Sequence, residues 1–229
     1  MQVHDHQERF DGIRSVLAVC AHPDDESFGM GAVLSGLVAR GVTASLLCCT
    51  HGEASTLGAD GGDLASRRAD ELAAAAAELG LRQVTLHHHP DGALAGCPVD
   101  DLLPEVDQAI DAAGADCLLV FDEGGITGHP DHQQATAAAL AAAARRGLPV
   151  LAWTLHEDVA GTLREQFGMP FVGRSDDELH HRITVDRERQ WAAIRCHATQ
   201  SSDNPVLLRR LALQRDTEVL RWLLEGDER

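Results

Sequence analysis

The chain has 229 residues (24.5 kDa), enough for one α/β domain with a sizeable core and short for two. All 19 basic residues are Arg, and Lys and Tyr are absent, which excludes Schiff-base, pyridoxal-lysine and Walker-lysine chemistry and removes phenolic acids and oxyanion donors. A net charge of −17 argues against nucleic-acid and anionic-membrane partners and leaves 36 carboxylates and 13 His as the chemical stock.

In chain order, the polar residues 1–12 read as a flexible tail with no signal-peptide apolar core. Ser15–Cys20 is an apolar run of strand length, Ser27–Arg40 a helix closed by Gly41, and Thr43–Thr50 a second strand. A Gly-rich loop over 51–62 leads to a helix at Leu64–Leu79, with Asp63 as N-cap and Gly80 as C-cap signal. Gln83–His87 is a third strand, Asp100–Ala113 a helix, Cys117–Phe121 a fourth strand, His132–Arg146 an Ala-rich helix and Val150–Leu155 a fifth strand. The regularity then weakens over residues 157–178. A short strand at Arg182–Val185 and two helices, Arg187–His197 and Pro205–Leu224, close the chain.

This alternation predicts an α/β fold: one doubly wound domain over residues 1–229, with a mostly parallel sheet flanked by helices and a helical C-terminal extension. No stretch approaches twenty apolar residues. Cys20, Cys48, Cys49 and Cys117 lie inside strand-like runs, and no CxxC pair occurs, so buried free thiols in a cytoplasmic protein are expected.

In open parallel sheets, ligands bind outside the carboxyl ends of the strands. Three such loops concentrate polar residues: Ala21-His22-Pro23-Asp24-Asp25-Glu26, His51-Gly52-Glu53 and Gly128-His129-Pro130-Asp131-His132. His22 and Asp25, three residues apart on a turn entering a helix, can converge on one ion, and an imidazole from the second His-Pro-Asp loop completes the set. Three protein ligands with an open position is the pattern of a catalytic zinc site. The second carboxylate, Asp24, is then free to act as general base toward the activated water. An acidic helix start alone would only favour the helix N-terminus, but the second loop, with two His, favours the metal. By contrast, His87-His88-His89 cannot all face one ion, because strand side chains alternate. These three, His180-His181 and His4/His6 read as surface imidazoles.

AHPDDE after the first strand and GHPDH after the fourth resemble the LmbE-like (PIG-L) metal-dependent de-N-acetylase family, over Val16 to about Gln200. The resemblance implies a Rossmann-like fold, a zinc on His22, Asp25 and His132, and Asp24 as general base. It further implies that His129 protonates the leaving amine or stabilises the oxyanion, with Asp131 orienting an imidazole. Arg68, in R-x-x-E-L with Glu71, and Asp91, in an Asp-Gly turn, would contact substrate. Glu53 would stand behind the site, and His197, in CHATQ, would line the pocket or sit at a helix end. Some relatives carry a Tyr two residues before the second-loop His; here Thr127 stands there, leaving oxyanion stabilisation to the metal and His129, or to a shifted position of the substrate.

The expected activity is zinc-dependent hydrolysis of an N-acyl group, most simply acetyl, from an amino sugar or related small molecule. Two His and one carboxylate suit Fe2+ as well as Zn2+. The alternatives are a metal-dependent hydratase of a small anionic alkene on the same residues, and a non-catalytic binding protein that retains the scaffold. A homo-oligomer is compatible with the chain.

Overall fold

A computed structural model describes residues 3–57 and 62–226 of the protein. The elements in order are α1 (Val3–Gly12), β1 (Ser15–Cys20), α2 (Asp25–Phe28), α3 (Gly31–Ala39), β2 (Thr43–Thr50), α4 (Leu64–Leu79), β3 (Gln83–His89), α5 (Val99–Ala113) and β4 (Cys117–Phe121). They continue with the distorted turn α6 (Gly125–Gly128), α7 (Pro130–Arg146), β5 (Val150–Thr154), α8 (Glu157–Phe167), β6 (His181–Thr184), α9 (Glu188–Cys196), α10 (Ala198–Ser201), α11 (Pro205–Gln214) and β7 (Thr217–Leu224).

The seven strands form one sheet in the order β3-β2-β1-β4-β5-β7-β6. The first five are parallel, and β7 runs antiparallel to both β5 and β6. Alternate residues of β1 feed two cores, as the pleat requires. Val16, Ala18 and Cys20 pack with Val33 and Leu34 of α3, Leu72 of α4 and Ala193 of α9. Leu17 and Val19 pack on the other face with Leu102 and Val106 of α5 and Ala138 and Ala142 of α7. Helices on both faces explain why these strands read as continuous apolar runs rather than alternating ones. Each buried Leu, such as Leu118 and Leu119 of β4, contributes about 1.5–3 kcal/mol.

The chain leaves β1 toward β2 and β3 on one side and resumes with β4 and β5 on the other. A crevice therefore opens between the carboxyl ends of β1 and β4. The fold class is the expected one, and Asp63 and Gly80 cap α4 as anticipated: Asp63 accepts the Ser66 N–H at 3.1 Å, and Gly80 has φ 77°. All six Cys are unbridged, and the four in strands are buried. No helix among the described residues is long and apolar enough to cross a membrane.

Four expectations are corrected. Residues 3–12 form a helix rather than a tail, anchored by the buried Phe10 on His181 and the sheet core. The helix expected at Ser27–Arg40 is two helices, broken at Gly29, where any side chain would strike the Phe121 ring. Residues 217–224 are a strand, not the end of a helix. Arg215 takes a left-handed φ of 54° that stops α11, and β7 is then buried between β5 and β6, so its apolar positions mimic a helical repeat. Its Glu218, fully buried, accepts from Trp153 Nε1 at 2.7 Å and pairs with Arg187 at 2.5 Å. Finally, His181 is buried between Phe10 and Trp222 rather than at the surface. The side chains of His4 and His6 lie outside the described residues.

Candidate active site

The sheet brings four strand ends to one place. Asp25, the first residue of α2, has Oδ2 fixed by the N–H groups of Ala21 (3.2 Å) and His22 (2.9 Å). Its Oδ1 lies 3.2 Å from His132 Nε2. His132 comes from the first turns of α7, and its Nδ1 sits 3.1 Å from the Gly125 carbonyl, to which it donates, leaving the Nε2 lone pair facing inward. His22 Nδ1 lies 3.2 Å from His132 Nε2 and 3.7 Å from Asp25 Oδ2. On the other side of the ring, His22 Nε2 reaches Asp91 Oδ1 at 3.0 Å and Asp131 Oδ2 at 3.4 Å.

The donor set fits a divalent cation. One donor atom from each of His22, Asp25 and His132 lies within 4.8 Å of the others, and outer hydrogen bonds fix both imidazole tautomers with a lone pair inward. A second grouping, His22, His129 and Asp131, is equally close. There Asp131 is already engaged, accepting from the N–H groups of Gly92 (2.8 Å) and Ala95 (3.4 Å) as well as from His22. Without a cation the charges adjust. Burial lowers the His22 pKa, but the carboxylates of Asp131, Asp91 and Asp25 outweigh it and raise it to about 11. Burial raises that of Asp25, yet His132 and His22 hold it well below the usual carboxylate range.

Asp24 faces the same cavity. Burial pushes its carboxyl up to about 6, against the opposing charge of Arg68, whose Nη2 lies 3.1 Å from Asp24 Oδ2. Arg68 is only 3% exposed, and its guanidinium also donates to the carbonyls of Pro23 and Gly52. Gly52 is required there: its φ is 66°, and any side chain would collide with that guanidinium. His129 is the N-cap of α7, its Nδ1 accepting the Asp131 N–H at 3.2 Å, so the neutral ring carries its proton on Nε2. Burial, with the charges of His132 and His22, lowers its pKa.

These groups line a cavity of about 390 Å³ together with Asp91, Ser55 and Gln200. A larger cavity of about 600 Å³ near His156, Asp176 and Arg182 has no comparable convergence of ligand atoms among the described residues.

The eight residues read from the sequence as catalytic, ligand or substrate-contacting groups meet around this crevice, but several connections were not legible. Asp131 backs His22 rather than its own neighbour His129. Glu53 accepts the Asp91 N–H at 3.0 Å, while Asp91 accepts the Ala54 N–H at 2.8 Å, so the β2 and β3 loops latch each other. Glu71 accepts from the N–H and hydroxyl of Thr199, tying α4 to CHATQ. His197 does not line the cavity: it is fully buried against Glu26, whose part no sequence signal revealed. His87 and His89 share Glu105 while His88 stacks on His51, the alternation expected of a strand.

Comparison with known proteins gives the family and the fold. The sequence profile of the PIG-L family, described as GlcNAc-PI de-N-acetylase, matches residues 17–143. A Mycolicibacterium vanbaalenii protein, 1D-myo-inositol 2-acetamido-2-deoxy-alpha-D-glucopyranoside deacetylase, is 31% identical, across 83% of this chain and 82% of its own. Among solved structures, N,N'-diacetylchitobiose deacetylase from Pyrococcus horikoshii superposes with a TM-score of 0.72 at 20% identity, covering 96% of this chain and 87% of that one. The 4-carboxy-2-hydroxymuconate hydratase of Pseudomonas putida superposes at 0.69 and 18%, covering 94% and 98%, so the fold alone does not separate hydrolysis from hydration. With the profile covering more than half of its length, the chain belongs to the PIG-L family of de-N-acetylases.

Proposed function

We propose that the protein is a metal-dependent hydrolase that removes the acetyl group from an N-acetylglucosamine-containing small molecule or a close relative of one. The observation that carries this is the meeting of the donors His22, Asp25 and His132 with the carboxylate of Asp24 in one cavity. The substrate class draws on the names of the relatives, which act on N-acetylated amino sugars. When bound, a divalent cation supplies Lewis-acid polarisation of the amide carbonyl and a more acidic water. We assign Zn2+, with Fe2+ the other ion this ligand set suits; elemental analysis of anaerobically purified protein separates them.

The remaining steps belong to the chain. Asp24, ionised and held by Arg68, accepts a proton from the attacking water as it adds to the carbonyl carbon. His129 Nε2–H donates to the oxyanion that develops. The C–N bond then breaks, and the proton held on Asp24 passes to the departing amine, regenerating the carboxylate. Asp131 and Asp91 hold the His22 ring. Arg68, Asp91 and Gln200 offer polar groups to sugar hydroxyls at the cavity wall. The unbridged Cys suit a reducing, cytoplasmic compartment.

The test is a panel of N-acetylated amino sugars, including inositol and oligosaccharide glycosides, incubated with metal-loaded protein. Free amine and acetate in equal amounts are expected from at least one. A metal-replete protein that releases neither from any member, or that hydrates an alkene acid instead, overturns the proposal.

A further inference from the structure

Asp24 has a backbone that its residue type does not favour: φ is 122° and ψ is −26°, outside the regions open to a side chain without cost. Such a conformation is costly and persists only where its surroundings impose it. Arg68 holds one side of this residue, through the Pro23 carbonyl and the Asp24 carboxylate. On the other side, the Asp24 N–H donates to Glu26 Oε2 at 3.0 Å.

Glu26 is fully buried beside two further carboxylates, Asp24 and Asp25, so it needs partners to stay in place. Ser27 Oγ donates to its Oε1 at 2.5 Å, and His197 Nε2 lies 2.7 Å from the same oxygen. His197 Nδ1 has no hydrogen-bond partner among the described residues, which assigns a ring proton to Nε2 and makes that nitrogen the donor. The ring stands at the junction of α9 and α10, edge-on to Phe28 at 5.9 Å, and its carbonyl accepts from the N–H groups of Gln200 and Ser201. From the same helix, Gln190 Nε2 donates to the carbonyls of Ser27 (3.0 Å) and Phe28 (3.2 Å). Helix α9 thus grips the short helix α2 from behind.

We infer that His197 is a positioning residue which, through Glu26, holds the strained backbone of Asp24 so that its carboxylate faces the cavity. It touches neither cavity nor ligand set and acts only through this chain of two hydrogen bonds. The inference deepens the proposed hydrolysis and rests on it for its catalytic consequence, but the hydrogen-bond chain can be read without turnover.

The experiment compares His197→Phe, which keeps the ring packing and removes the donor, with His197→Gln, whose amide nitrogen can replace Nε2. Glu26→Gln serves as a second break that leaves no unpaired buried charge. In the metal-free protein, amide exchange across residues 20–30 should quicken in His197→Phe and Glu26→Gln and stay near wild type in His197→Gln, with β4 unchanged. In the metal-loaded protein, kcat on the best N-acetyl substrate should fall by on the order of 100-fold in the first two with KM unchanged, and recover in the third. Unchanged exchange at 20–30 in both breaking variants overturns the inference. So does an equal loss in His197→Gln, which would mark simple packing. If His197→Phe fails to fold, Glu26→Gln decides. Absence of turnover in wild type would sink the hydrolase assignment and leave the exchange result to judge the positioning.

Discussion

In His22-Pro23-Asp24 the helix starts after the tripeptide, at Asp25, whereas in His129-Pro130-Asp131 it starts inside it, at Pro130. That shift of two residues reverses the duties of identical side chains. In the first loop the His is held against other protein groups, and the Asp, left outside the helix at φ 122°, faces the cavity. In the second the Asp sits in the first helical turn, fully buried under His22, and the His becomes the N-cap with its other nitrogen free toward the cavity. The same three residues therefore make different contacts: Asp24 meets the Arg68 guanidinium at the cavity, whereas Asp131 accepts the N–H groups of Gly92 and Ala95 beneath His22. The two loops also depend on each other: the second loop's Asp131 orients the first loop's His22.

Exchanging the two Asp residues' amides tests this division most sharply. Asp24→Asn should cut kcat by about 10²–10⁴-fold, the usual worth of a general base, while metal stoichiometry stays at the wild-type value. Asp131→Asn should instead weaken metal binding by about 10–100-fold, measured by chelator competition, because the His22 ring loses its outer carboxylate. If both variants lose metal alike, or both keep it and lose turnover alike, the loops do not divide the labour in this way.

A last effect concerns pH and is read in stability rather than in turnover or metal affinity. In the metal-free protein the His22 pKa is raised above its unfolded value, to about 11. The stability it contributes is therefore complete below about pH 6.5 and is lost as pH rises toward the folded value, by at most about 1.4 kcal/mol per unit. The Tm of chelator-treated protein should fall as pH rises above about 6.5. Metal-loaded protein, which uses the neutral ring, should not follow that slope. A flat profile in the chelated protein would mean that Asp91 and Asp131 do not act on His22 as described.

The C-terminal third was least legible. Its contributions to the site are Gln200 in the wall and His197 behind Glu26, and neither contact can be predicted from spacing, since 171 residues separate His197 from Glu26. The N-terminal strands were legible because a parallel strand buried on both faces leaves a continuous apolar run, and capping residues such as Asp63 and Gly80 mark helix ends locally. Residues 217–224 were misread for the converse reason: a short buried strand and a buried helical stretch share the same apolar density.

By itself, the sequence determined which side chains were available: Arg as the sole side chain always cationic, no phenol, and two His-Pro-Asp loops at strand ends that offer candidate ligands and a candidate base. It also determined the parallel α/β frame, because those signals are local. Only the tertiary structure decided which His is backed by a carboxylate, that Arg68 pairs with Asp24, and that Glu26 and His197 stand behind it. Those assignments depend on distances between segments far apart in the chain, and hydrogen-bond partners are chosen by where the sheet and helices place them.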